Sequence, residues 1–79
     1  MKEIEVADFP ISSRSTARVR VIREDGGEAK VDIRRFALVP DRNDEVPTKS
    51  GIRIPAAMVP ELRAALNRAE TLMEAFSNE

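Results

Sequence analysis

Apolar and charged residues alternate over residues 17–23 (ARVRVIR), so that Ala17, Val19 and Val21 share one side and Arg18, Arg20 and Ile22 the other. A period of two belongs to a strand with one face toward a core and one toward water. Residues 29–37 (AKVDIRRFA) repeat the pattern, with Ala29, Val31 and Ile33 on one side and Lys30, Asp32 and Arg34 on the other. Between the two runs stands Asp25-Gly26-Gly27, and glycine supplies the positive φ that a tight turn requires. The pattern therefore predicts an antiparallel hairpin.

A further strand is expected near residues 3–12, where Ile4, Val6 and Phe9 are apolar and Pro10 confines the segment to a sheet edge. Residues 39–51 (VPDRNDEVPTKSG) hold two prolines and several turn formers and read as a loop, followed by a short strand, Gly51-Ile52-Arg53-Ile54. From Ala56 to Phe76 the composition turns to Ala, Leu, Arg, Glu and Met, all good helix formers, with Pro60 in the first turn where its missing N–H is tolerated. Val59, Leu62, Leu66, Ala69, Met73 and Phe76 follow one another at spacings of 3, 4, 3, 4 and 3, which sets them on one stripe of that helix. The stripe is expected to lie over the sheet. A helix of some 20 residues measures about 30 Å and outruns a small sheet, so its end from Ala69 onward is expected to pack on a partner's helix. Four strands and one long C-terminal helix make an α+β chain. Its length of 79 residues suits one domain, divided into an N-terminal strand or arm (1–15), an antiparallel sheet (16–54) and a helix (56–77).

Composition narrows the chemistry. Without Cys or His the chain has no thiolate, no imidazole base and neither of the commonest zinc ligands, so an enzyme is not expected and no metal or cofactor is called for. The acids of 39–51 do not make a calcium loop, because counting from Asp41 puts Val46 and Ile52 where Gly and Glu are needed. The first ten residues are acidic and contain Pro10, unlike a signal peptide, and no apolar run approaches the roughly 20 residues of a membrane span.

The net charge of −1 conceals a segregation. Residues 11–37 carry seven basic against four acidic side chains, and residues 11–23 hold four arginines with no acid. Arg18, Arg20, Lys30 and Arg34 fall on the same side of the hairpin and form a candidate basic surface for a phosphate chain. A solvated sheet face also accounts for such charges, and Asp32 is placed to neutralise Arg18 or Arg20. Among the three phenylalanines, Phe36 shares the side of Lys30 and Arg34 and is the candidate for stacking on a base.

The segment Lys30-Val31-Asp32-Ile33-Arg34-Arg35-Phe36, the Pro-containing loop, Lys49-Ser50-Gly51-Ile52-Arg53-Ile54 and then Met58 to Leu66 resemble the C-terminal domain of the transcriptional coactivator positive cofactor four. The resemblance spans roughly residues 16–70. It implies a four-stranded antiparallel sheet followed by one helix, assembled as a homodimer that binds unpaired DNA with little sequence preference. Arg18, Arg23, Arg34 and Lys49 match basic positions of that family's DNA-facing sheet, with Arg20 and Arg53 adding charge nearby. The chain departs from eukaryotic members where Asp25, Gly26 and Glu28 replace an aromatic and two lysines, and where Ala37 follows Phe36 in place of an aromatic pair. It also lacks their long Ser- and Lys-rich segment, as a stand-alone prokaryotic or phage version would.

The expectation is a homodimer that binds single-stranded DNA, or RNA, through Arg18, Arg20, Arg23, Lys30, Arg34, Phe36, Lys49 and Arg53, and dimerises through Leu62, Leu66, Ala69, Met73 and Phe76. It would act in transcription, replication or repair, with transcription or replication proteins as further partners. The expected location is cytoplasmic and nucleoid-associated in a prokaryote or phage-infected cell, and nuclear in a eukaryote. Two rivals stand beside it: a protein-interaction module of the same fold, and a ribbon-helix-helix regulator with Ile52-Arg53-Ile54 as its ribbon.

Overall fold

The alternating runs form strands as expected, and the computed structural model describes residues 1–78. The strands are β1 (Lys2–Ser12), β2 (Ser15–Arg23), β3 (Lys30–Val39) and β4 (Asp44–Pro55). A 3₁₀ turn (Ala56–Met58) then leads into α1 (Val59–Ser77). The strands make one antiparallel meander in the order β1-β2-β3-β4, which leaves β1 and β4 as edges.

Each turn follows from its residues. Between β2 and β3 the N–H of Gly27 donates to the Glu24 carbonyl at 2.9 Å, and Gly26 takes a φ of 74°, where a side chain would be strained. Between β3 and β4 the N–H of Arg42 donates to the Val39 carbonyl, and Asn43, a residue that tolerates the left-handed region, has a φ of 50°. The β1–β2 turn is tied sideways into the sheet by the Leu38 N–H, which donates to the Arg14 carbonyl at 2.9 Å.

The expected loop 39–51 shrinks to Pro40–Asn43, because β4 already begins at Asp44. Proline is compatible with this strand because β4 is an edge, and Pro47 stands opposite Phe36 next to a break in register. Arg34 faces Gly51 and Phe36 faces Pro47, so Thr48, Lys49 and Ser50 bulge out opposite Arg35. The Thr48 hydroxyl closes the bulge, donating to the Arg35 carbonyl at 2.7 Å and accepting from the Ser50 N–H at 3.1 Å.

A second irregularity sets the chemistry of the edge. Glu5 pairs with Arg20 and Ala7 with Val19, so Val6 is an extra residue in β1. The bulge reverses the parity of the strand. Asp8 thereby joins Glu3 and Glu5 on the side of Arg18 and Arg20, while Ala7 and Phe9 join Ile4 on the side of Val19 and Val21.

The helix departs from expectation. It lies over no strand of its own chain: Val59 and Leu62 are half-buried, and every residue from Arg63 to Asn78 is exposed. Ile4, Phe9 and Ile52, on the apolar face of the sheet, are at least half exposed. The physical reason is that the helix leaves from the end of an edge strand, so that only its first turn, with Val59 and Leu62, finds partial cover. The dimensions agree, since the radius of gyration is 15.2 Å, against about 11.6 Å for a compact chain of this length. The accessible surface is 6325 Å², roughly 1,500 Å² more than a compact monomer of this mass exposes.

Candidate nucleic-acid interface

Register places Arg18 opposite Arg34, Arg20 opposite Asp32 and Thr16 opposite Phe36 across β2 and β3, with Arg53 of β4 opposite Asp32 on the other side. Arg18, Arg20, Lys30, Arg34, Phe36 and Arg53 therefore occupy one face of the sheet. Arg23 has the opposite parity and stands on the apolar face, across from Lys2. Lys49 is exposed in the bulge of β4.

The centre of the face is Asp32, whose side chain has no solvent exposure. Its carboxylate accepts from Arg20 Nη2 at 2.6 Å and from Arg34 Nη2 at 3.0 Å, and Arg53 Nε lies 3.5 Å away. A buried carboxylate needs such partners, because an unpaired charge out of water is costly. Burial works to raise its pKa, but the hydrogen bonds and charges of Arg34 and Arg20 outweigh burial and hold the group below the usual carboxylate range. Arg20 moves the other way: its hydrogen bond to Asp32 raises its pKa against the effect of burial, and Glu3 adds to the rise.

Arg34 is fixed from a third direction, since its Nη1 donates to the Thr48 carbonyl at 2.9 Å. Its guanidinium crosses the backbone at Gly51, where a Cβ would stand 2.7 Å from Arg34 Cζ and 2.9 Å from the Ile33 carbonyl oxygen. Glycine is needed here for the room it leaves, and the K-S-G-I segment carries that requirement in the sequence.

Arg18 lies over the Phe36 ring, its Cζ 4.1 Å from the ring centroid, with Arg20 at 5.6 Å. Phe36 is 6% exposed beneath them. Arg18 is reached by Glu45 at 3.3 Å, Asp8 at 3.6 Å and Glu5 at 4.0 Å, and its Nε is buried without a hydrogen-bond partner. Arg20 also pairs with Glu3, and Arg53 with Glu24 at 3.1 Å. Among the described residues, four arginines of this face are thus held by six carboxylates: Glu3, Glu5, Asp8, Glu24, Asp32 and Glu45. Lys30 stands on the face outside this network.

Sequence reasoning brought the arginines together but missed the acids of β1, because the Val6 bulge that turns Asp8 toward Arg18 has no local signature. Glu45 was missed because it fell in a stretch read as loop. The five residues expected at a dimer interface lie along α1, with Leu62 half-buried and Leu66, Ala69, Met73 and Phe76 exposed. Among the described residues no group of three or more acids is arranged to hold a metal ion, and no helix is long and apolar enough to cross a membrane.

No family model matches the chain, and none of the curated proteins does. The solved structures do provide a relative. A PC4 homolog from Burkholderia pseudomallei superposes with a TM-score of 0.74 at 26% identity, covering 87% of this chain and 98% of that one. The resemblance to positive cofactor four carried by the D-I-R strand and the K-S-G-I segment thus extends to the fold, a four-stranded antiparallel sheet followed by one helix.

Proposed function

We propose, from the PC4-like fold of this chain, that it is a homodimeric protein that binds unpaired DNA across its arginine face. The observation that carries the reading is the gathering of Arg18, Arg20, Lys30, Arg34 and Arg53 with Phe36 on one face of a sheet of that fold. Phosphates approach the guanidinium groups, whose N–H donors suit a bidentate anion, as Arg34 shows by donating to both oxygens of Asp32. Lys30 and Lys49 supply point charges beside them, whereas Arg23, expected among these contacts, stands on the other face of the sheet and outside this set. Phe36 becomes a stacking platform only when Arg18 moves off its ring, so stacking contributes less here than in a site with open aromatics. Little sequence preference is expected, because contacts to phosphate carry no base information.

Dimerisation completes the molecule. The stripe Leu62, Leu66, Ala69, Met73 and Phe76 and the open apolar face with Ile4, Phe9 and Ile52 have no cover within one chain. The excess surface of roughly 1,500 Å² exceeds the ~800 Å² that each partner contributes to a standard interface. A second copy offers the same stripe in return. Roles in transcription, replication or repair are compatible with such an activity, in whichever compartment holds the unpaired strand.

Titration of a fluorescent dT oligonucleotide tests the reading. Binding that weakens as salt rises from about 50 to 200 mM supports it, because phosphate contacts release counterions. Absence of binding at the lower salt, or binding indifferent to salt, refutes it.

A second reading is favoured by one observation, the six carboxylates that engage the four arginines. A face so neutralised suits a protein-interaction module that keeps the fold and the dimer without nucleic-acid affinity. It predicts an intact dimer and no response to the oligonucleotide.

A further inference from the structure

Three of the six carboxylates come from a single edge strand. Glu3 pairs with Arg20, while Asp8 and Glu5 lie 3.6 and 4.0 Å from Arg18. They are unlike Asp32, which is fully buried and fixes Arg20 and Arg34 as part of the sheet. Every residue of β1 is exposed, and the strand is paired on one side alone. The Val6 bulge is what puts Asp8 on this face, since an unbroken register would present Ala7 to Arg18.

We propose that Glu3, Glu5 and Asp8 are resident counter-ions of the nucleic-acid face: they occupy Arg18 and Arg20 as phosphates would, and a strand binds by exchanging with them. The proposal rests on the nucleic-acid reading above. A carboxylate oxygen and a phosphate oxygen compete for the same guanidinium N–H: Glu3 takes Arg20 Nη1 through one oxygen, while Asp8 and Glu5 stand beside Arg18 as charges beyond hydrogen-bond distance. The exchange has a thermodynamic signature. An arginine already paired with a protein carboxylate sheds few solution anions or cations when a phosphate takes it, so these contacts add little to the salt dependence. It also has a structural one. Arg18 is held over Phe36 between Glu45 on one side and β1 on the other. Once β1 lets go, Glu45 is the one carboxylate left on Arg18 among the described residues, and a phosphate that draws the guanidinium away uncovers the ring.

The test compares the wild-type chain with a variant carrying Glu3→Gln, Glu5→Gln and Asp8→Asn, by anisotropy of a labelled dT oligonucleotide over a series of salt concentrations. A control carrying Glu61→Gln, Glu70→Gln and Glu74→Gln changes the net charge equally but on the helix. Circular dichroism verifies that each folds. The single variants Glu3→Gln and Asp8→Asn, which each remove one partly exposed and therefore weakly stabilising pair, serve if the triple variant does not fold. The proposal expects the β1 variant to bind about tenfold tighter or more at low salt. It also expects the slope of log K against log salt to steepen, by at most about 0.7 for each of Arg18 and Arg20, which keep Glu45 and Asp32 as their remaining partners. The single variants are expected to shift in the same direction. Equal affinity and slope in wild type and β1 variants, or an equal gain in the helix control, overturns the proposal while leaving nucleic-acid binding in place. Absence of binding by every form overturns both.

Discussion

Asp32 sits under three arginines, so its removal takes a partner from each of them at once. Asp32→Ala leaves Arg20 and Arg34, both mostly buried, without their shared anion and is expected to cost about 3 kcal/mol in chemical denaturation. The same group gives a pH dependence. Its folded pKa lies below the ordinary value, so its contribution is complete above about pH 4 and is lost as the pH falls through the folded value. Wild-type stability should therefore drop on acidification below that point, and Asp32→Asn, less stable at neutral pH, should lose less over the same range. Gly51 offers a steric counterpart. A methyl group there meets the Arg34 guanidinium and the fixed Ile33 carbonyl, so Gly51→Ala should destabilise by about 1–3 kcal/mol, read as a lower denaturation midpoint. The arginines that stood out in the sequence are thus partly structural, which charge counting along the chain could not distinguish from a free basic row.

At the scale of elements, the hairpin was legible because alternation and a Gly-Gly turn are local signals that nothing else produces. The strand from Asp44 was not, because Pro47 and a three-residue bulge suppress the period of two, and an edge position excuses both. The helix was legible as a helix, since Leu62, Leu66, Ala69, Met73 and Phe76 declare its stripe. Where that stripe goes was not, because a heptad spacing states that a face will be buried without saying against what. Phe76 is 72% and Met73 66% exposed, and burying such side chains is worth about 1.5–3 kcal/mol each. If the chain dimerises as proposed, Leu66→Asp combined with Met73→Asp should therefore give a monomer, close to the 8.8 kDa of one chain, by light scattering. Its thermal transition should also be lower, since a chain of this size is marginal alone.

For the whole molecule, thirteen basic and fourteen acidic residues cancel in the total, and most of the arginine face cancels locally as well. What makes the face a candidate for nucleic acid is that its cations share one surface of a PC4-like sheet while part of their acid partners belong to an exposed edge. The thin, open shape and the surplus accessible surface are what the proposed dimer would cover, and in it two such faces would share one particle. The most direct test of this account is an NMR titration of the full chain with a dT oligonucleotide, following backbone amides and the arginine Nε–H groups. Shifts concentrated at Arg18, Arg20, Lys30, Arg34 and Arg53, with Phe36 ring signals moving alongside, are the predicted result. Shifts absent from that face, or confined to the helix and the apolar side of the sheet, would contradict it.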